Sequence, residues 1–432
     1  MTISPARIAA FNILWRIQRD RAYSSVLLAE VQRDLEPRDR SLCHKLVLGV
    51  LRHRYYLDAL IGELTENRKI DPEVQLALEL GLYQLYFLDR VPHYAAVSET
   101  VELAAFARKS SAKRFINAIL RRAMRQWPTL EFRSEIQRIS TETSHPEWLI
   151  RKWIKCYGRK RAENIAKASN RPQKIAFRLT AKAFRSGFEP PTGSTAVPAI
   201  SGCYIVQELN EDILAAEANG LIYFQNPASQ VVAAIPQLTR GSRVLDVCAA
   251  PGSKATAISA RHSEAQIDVF AGDVYFKRLQ TLRSSAENQC ARRIFLARYD
   301  AAQALPFADA SFDAVIVDAP CSGTGTLSAN PEIRYFLDPD SIDELAAKQL
   351  QILRNASKAL RPGGQLIYST CSLEFEEGED VVDRFLEISG NERFRLLALP
   401  VLERFKTKEG FYRIMPDTDE MEGFFIAAFE KR

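Results

Sequence analysis

No apolar run in this 432-residue chain approaches the ~20 residues needed to cross a bilayer. Its amino terminus, MTISPARIAAFNILWRIQ, brackets too short an apolar core between Arg7 and Arg16 for a secretory leader, so a cytoplasmic protein without membrane attachment is expected. The same stretch places Ile8, Phe11 and Trp15 on one stripe of an amphipathic helix. The seven cysteines (Cys43, Cys156, Cys203, Cys248, Cys290, Cys321 and Cys371) include no CxxC pair, and His44 beside Cys43 is only an adjacent pair. That spacing argues against a disulfide framework or a structural metal and leaves free thiols, one of which can be catalytic. There is no P-loop and no GxGxxG fingerprint, which turns the reading away from ATP and NAD. Internal repeats are also missing.

What is present is globular: 47% hydrophobic and 26% charged residues, in a chain long enough for two or three domains. The net charge of +5 hides a gradient, with +6 over residues 1–130, +4 over 131–225 and −5 over 226–432. Residues 151–185 hold twelve basic residues and one acid, Glu163. Such a run is either a solvated helix face or a surface that docks a phosphate backbone.

Three regions follow. Residues 1–130 read as all-helical: in KRFINAILRRAMRQW, Phe115, Ile116, Ile119 and Leu120 share a stripe while Lys113, Arg114, Arg121, Arg122 and Arg125 fall largely on other faces. Pro72, Pro92 and Pro128 punctuate the helices. Residues 131–235 read as a small α+β region, with a helical stretch HPEWLIRKWIKCYGRKRAENIAKAS, strand candidates QKIAFRLT and CYIVQEL, and a loose segment GFEPPTGSTAVPAI between them. From 236 to 432, β-branched runs alternate with helical ones: SRVLDVCA, QIDVFAGD, RRIFLARYD, FDAVIVDAP and GQLIYSTC, then RFRLLALPV and GFFIAAFEK without a helix-length insert. Five βα units and a terminal hairpin predict an open, mostly parallel seven-stranded sheet covered on both faces.

In such sheets ligands bind beyond the carboxyl ends of the strands, where strand order reverses. The unusual residues fall there. The first strand ends at Asp246 and the tight turn CAAPGSK, Cys248 to Lys254, whose small residues and Gly252 let backbone approach a ligand and whose Ser253 can cap the next helix. Asp273 ends the second strand, where a carboxylate suits a ribose diol, and Asp300 closes the third, where it can face an adenine edge. One such acid alone could be a helix cap; three in succession point to a nucleoside-containing cofactor. The fourth strand ends DAPCSGTGTL, with Asp318, Pro320 and Cys321, and the fifth ends STCS, with Cys371. A structural cysteine packs inside an apolar run, whereas these two stand where loops open. If the fourth and fifth strands are neighbours, both thiols and Asp318 overhang one crevice.

VLDVCAAPGSK, VDAPCSGTGTL and YSTCS together resemble the S-adenosylmethionine-dependent RNA cytosine-C5 methyltransferases of the Nol1/Nop2/Sun family. QNPASQ (Gln225 to Gln230) and MEGFFIAAF match in position, and the amino-terminal region ending RFINAILRR is similar to a NusB-type RNA-binding domain. The resemblance covers essentially the whole chain and implies a Rossmann-like methyltransferase domain (236–432) behind a NusB-like helical domain (1–130) and the linking α+β region (131–235). By position it assigns S-adenosylmethionine contacts to Cys248, Ala249, Ala250, Pro251, Gly252, Ser253 and Lys254, with Asp273, Asp300 and Asp318. It makes Cys371 the nucleophile and gives Cys321 a part in product release. The implied substrate is 16S ribosomal RNA or a small-subunit assembly intermediate, methylated at cytosine 967, by a protein that needs to be no more than a monomer. Phe375 and Gly378 stand where the family usually has proline and asparagine, RLT (Arg178 to Thr180) replaces its RVN-like strand end, and Asn226-Pro227 replaces the commoner acid after Gln225.

The chemistry accounts for two thiols. A thiolate adding to C6 of cytosine makes C5 an enamine carbon able to attack a methyl sulfonium. Asp318 could hydrogen-bond or protonate N3 as charge develops. A free cysteine is only a few per cent thiolate near neutrality, so a local device that activates Cys371 is expected. Two other classes remain at this point: an RNA-binding assembly factor with an inactive methyltransferase fold, and a DNA cytosine methyltransferase using the Asp318–Cys321 loop, which would leave Cys371 without a function.

Overall fold

The structure, a computed structural model, describes residues 3–31, 34–198 and 200–432. Met1 and Thr2 of the amino-terminal stretch and Ala199 of GFEPPTGSTAVPAI lie outside the described residues. Contacts divide the chain into two units, one running to Arg171 with Leu327–Phe336 added, the other comprising Pro172–Thr326 and Leu337–Arg432.

The first unit is helical. Pro5, Pro37 and Pro72 open the helices Pro5–Asp20, Pro37–Leu64 and Pro72–Phe87, where a missing N–H costs no hydrogen bond, and Pro92 is the N-cap of His93–Phe106. Lys113–Arg125 buries Ile116, Ile119, Leu120 and Ala123 and leaves Arg114, Arg121, Arg122 and Arg125 exposed, as its periodicity predicts. The basic stretch after residue 146 forms two helices, Glu147–Tyr157 and Arg159–Ala168, split at Gly158. These helices, grouped by sequence with the α+β region, belong to the helical unit.

The added segment Leu327–Phe336 is held inside this unit by buried polar groups. Arg334 is fully buried, and its Nη1 donates to the carbonyls of Thr143 and Ser144 at 3.1 Å and to Asn170 Oδ1 at 2.8 Å. Its Nη2 reaches Ser169 O at 3.4 Å and Leu327 O at 3.3 Å. Ser144 and Ser169 are the C-caps of Glu135–Thr143 and Arg159–Ala168, so one cation serves the carbonyl ends of two helices. The buried Glu332 carboxylate accepts from Ser24 N at 2.8 Å.

The second unit contains two sheets. Strands β1 (Ile175–Leu179), β2 (Thr195–Ala196), β3 (Cys203–Val206) and β4 (Ile222–Phe224) form a small antiparallel sheet in the order β2-β3-β1-β4. The large sheet comprises β5 (Arg243–Asp246), β6 (Asp268–Asp273), β7 (Ile294–Arg298), β8 (Phe312–Asp318), β9 (Leu360–Thr370), β10 (Phe394–Leu396), β11 (Tyr412–Ile414) and β12 (Phe424–Lys431), ordered β10-β12-β9-β8-β5-β6-β7 with β11 on β12. Strands β5 to β9 are parallel, and β12 runs antiparallel to β9 and β10. The seven expected strands are therefore joined by an eighth, β11, whose three residues are too short to show a period. The chain steps outward from β5 to β7, then crosses back to lay β8 against the other side of β5. That reversal opens a crevice beyond Asp246 and Asp318. Val315, Ile316, Val317, Leu366, Ile367 and Tyr368 are buried in the central strands, which read as unbroken apolar runs because helices cover both faces.

Candidate active site

The turn after β5 is built from small residues that fold back on the sheet. Ala249 N donates to Gly272 O and Gly252 N to Ala249 O, each at 2.8 Å. Gly252 has φ +107°, and a Cβ there would lie 2.5 Å from Leu282. The expected Ser253 cap is corrected: Gly252 is the N-cap of Ser253–Arg261, and no side chain caps that end.

The acids differ in setting. Asp246 is fully buried, both its oxygens lack a partner in hydrogen-bond geometry, and burial pushes its carboxyl up to about 7 against the pull of Lys254. Asp273, nearly buried, accepts from Tyr275 N at 2.8 Å and lies 3.4 Å from Arg278 Nη1. Asp300 stands exposed two residues past β7 and accepts from Ala302 N at 3.0 Å. A small-residue cradle, an orphaned buried carboxyl and an acid at the β6 terminus suit a nucleoside cofactor that brings its own donors.

On the other wall, Asp318 Oδ1 accepts from Ser369 Oγ at 2.9 Å and Oδ2 from Lys254 Nζ at 2.5 Å. Burial opposes the Lys254 charge, but Asp318 and then Asp246 outweigh it and raise the ammonium above its ordinary value. Lys254 also donates to Ser229 Oγ at 3.2 Å, which accepts from Gln225 Nε2 at 3.0 Å. Gln225 in turn accepts from the buried Arg178 Nε at 2.8 Å, while Arg178 Nη2 reaches Thr256 Oγ1 at 2.7 Å and Gln289 Oε1 at 3.0 Å. Thus RLT and QNPASQ form a polar chain ending on the Asp318 carboxylate. Sequence reasoning placed Lys254 in the cofactor turn and missed this partnership, which depends on β8 lying beside β5. Lys174, Phe224, Gln225 and Glu422 line a cleft of about 310 Å³, where burial raises the Glu422 carboxyl to about 7.

Strands β8 and β9 pair with Asp318 opposite Ser369, so the residues just past each end meet. Cys321 Sγ and Cys371 Sγ are 3.3 Å apart. The hydrogen bond with Cys371, shielding from water, and the nearby charges of Cys371 and Glu377 hold the Cys321 thiol well above its ordinary value. Gly325 N donates to Cys371 O and Gly423 N to Gly325 O, each at 2.9 Å. Burial and then Asp246 push the Cys248 thiol upward, leaving it a poor nucleophile.

The description 16S rRNA methyltransferase RsmB/F matches residues 233–430, and the NusB family matches residues 4–125. A probable ribosomal RNA small subunit methyltransferase B of Bacillus subtilis is 30% identical over the full length of both chains. The solved structure of PH0851 superposes with a TM-score of 0.82, at 23% identity and 100% coverage of each chain. NSun6 from Pyrococcus horikoshii, solved with SFG, gives a TM-score of 0.57 at 18% identity, covering 66% of this chain and 98% of its own.

Proposed function

The chain belongs to the 16S rRNA methyltransferase RsmB/F family, and on that basis we propose that it methylates C5 of a cytosine in small-subunit ribosomal RNA, cytosine 967, through a covalent bond between Cys371 and C6 of the ring. The observation that carries this reading is the meeting of two sulfurs at 3.3 Å on the strand ends that border Asp318. Its methyl donor is S-adenosylmethionine, which when bound offers C5 an electrophilic methyl group on a positively charged sulfur.

The chain's own residues do the rest. The target base, turned out of its RNA, enters the crevice so that the Cys371 thiolate adds to C6 and the C5–C6 π electrons move into the ring. Asp318, fixed by Ser369 and Lys254, meets N3, where negative charge gathers; the proton N3 takes up can come from the Lys254 ammonium through the carboxyl. Once Cys371 is bound to carbon, its sulfur is a neutral thioether. Two of the influences that kept Cys321 protonated, the hydrogen bond and the charge of Cys371, are then gone. Cys321, partly exposed, can then give its proton to solvent and act as the base that removes hydrogen from C5. The C–H electrons restore the C5–C6 double bond, the C6–S bond breaks and its electrons return to Cys371, while N3 hands its proton back through Asp318 to Lys254. The sulfur contact thus keeps the base protonated until an adduct exists.

The acting form is a single chain in the cytoplasm, on 16S rRNA or an assembly intermediate. Bisulfite mapping of small-subunit rRNA from cells with and without the protein tests the target. One cytosine that reads as methylated only when the protein is present is expected; an unchanged map would refute the proposal.

A further inference from the structure

Behind the two cysteine loops lies a carboxylate that neither touches the reacting atoms nor reaches solvent. Glu377 closes the short turn Phe375–Glu377 and is fully buried. Its Oε1 accepts from Ser322 N and from Gln349 Nε2, each at 2.8 Å. Its Oε2 accepts from Ser372 Oγ at 2.6 Å and from Ser322 Oγ. Ser322 directly follows Cys321 and Ser372 directly follows Cys371; the two hydroxyls are 3.1 Å apart. Gln349 also donates to Pro320 O at 2.9 Å, on the amino side of Cys321. Tyr368 OH, on β9, donates to Glu377 O at 2.7 Å.

Taking a carboxylate out of water is costly unless its lone pairs are filled, and here four donors fill them. Three of the four belong to the residues that follow the two cysteines. Packing alone would be met by an apolar side chain; a charge with this set of donors instead fastens two loops from different strands to one point. We propose that Glu377 is the positioning residue of the sulfur pair, clamping Ser322 and Ser372 so that Cys321 and Cys371 are held at hydrogen-bonding distance. The inference rests on the two-cysteine reaction above and adds to it the group that sets its geometry.

The clamp also has an electrostatic consequence. The Glu377 charge helps hold the Cys321 thiol up, after the hydrogen bond and charge of Cys371 and the shielding from water. The ionisable groups that act on Cys321 are Cys371 and Glu377 on the loop after β9, with Tyr368 on β9. Removing the Glu377 charge should therefore let Cys321 ionise at lower pH.

The test uses the full chain, a small-subunit rRNA transcript and tritiated S-adenosylmethionine. Methyl transfer is followed in a single turnover, and the decay of the covalent protein–RNA adduct is followed on denaturing gels across pH. Glu377→Gln should slow transfer by about 10- to 100-fold through misplacement of the thiols, with S-adenosylmethionine affinity unchanged. The pH midpoint of adduct decay should move to lower pH. Ser372→Ala keeps the charge and loses one clamp, so it should slow transfer with the midpoint in place; it also serves if Glu377→Gln fails to fold. A Glu377→Gln protein that only melts earlier, with wild-type rate and midpoint, overturns the inference, as does a folded Ser372→Ala protein of wild-type rate. Cys321→Ser run in parallel separates the two levels: if it accumulates no adduct, the two-cysteine reaction itself has failed, whatever Glu377 does.

Discussion

Replacing Gly325 by alanine adds one methyl group between the two loops that carry the sulfurs. The new Cβ would lie 2.2 Å from Gly423 O and 2.8 Å from Cys371 O, both backbone atoms that cannot swing aside. Ordinary contact begins at 3.4 Å, so the loops must part by about 1 Å, a misplacement that can cost on the order of 100-fold in rate. Parting them also strains the Gly325 N–Cys371 O and Gly423 N–Gly325 O bonds. Overpacking of this kind costs about 1–3 kcal/mol, or a fall in melting temperature of roughly 2–12 °C for a domain of this size. The assay is single-turnover methyl transfer to an rRNA transcript beside calorimetry of the same protein. A large loss in rate with a modest loss in stability is expected. Wild-type turnover would refute the reasoning, because a loop that absorbs the methyl group freely is not setting the sulfur distance.

Other sites give independent expectations. Arg334→Met should leave the carbonyl ends of two helices without their buried donor and destabilise the helical unit by at least about 3 kcal/mol, read as a lower urea midpoint; an unchanged midpoint would contradict the bonding described. Lys254→Met removes the cation from Asp318 and should lower methyl transfer on the order of 100-fold, measured in a single turnover with saturating S-adenosylmethionine; a wild-type rate would show that the pair does not serve the reaction. In the helical unit, burial raises the Glu79 carboxyl from 4.5 to about 8. The folded state thus prefers the protonated form, and this contribution to stability is complete below about 4.5 and is lost as pH rises through about 8. Urea unfolding between pH 5 and pH 8 should therefore fall more steeply for the wild type than for Glu79→Gln, with each unit of pKa difference worth about 1.4 kcal/mol; equal slopes would contradict it.

Much of the catalytic domain was legible because its signals are local. Strands β5 to β8 fall within the β-branched runs, β9 starts four residues ahead of its run at Leu360, and β10 and β12 form the expected antiparallel pair. The meeting of Cys321 and Cys371 was legible only conditionally, since it needs β8 beside β9, a neighbourhood that no window of sequence encodes. Lys254 illustrates the limit: its position in CAAPGSK was plain, its partner Asp318 was not, because that pair spans 64 residues and forms only across adjacent strands. Glu377 read as one acid among several in LEFEEGED, and periodicity cannot tell a buried carboxylate from an exposed one. Leu327–Phe336 was hidden for a similar reason. The docking of Arg334 and Glu332 is written in the helix ends and the serine they meet, not in the segment.

The sulfur pair itself is tested most directly by exchanging each cysteine for serine, incubating each protein with an rRNA transcript and S-adenosylmethionine, and resolving the products on a denaturing gel. Cys321→Ser should retain a slow-migrating covalent protein–RNA species, whereas Cys371→Ser should neither transfer methyl groups nor trap RNA. Normal turnover by Cys321→Ser together with trapping by Cys371→Ser would mean that the two thiols have been given each other's work.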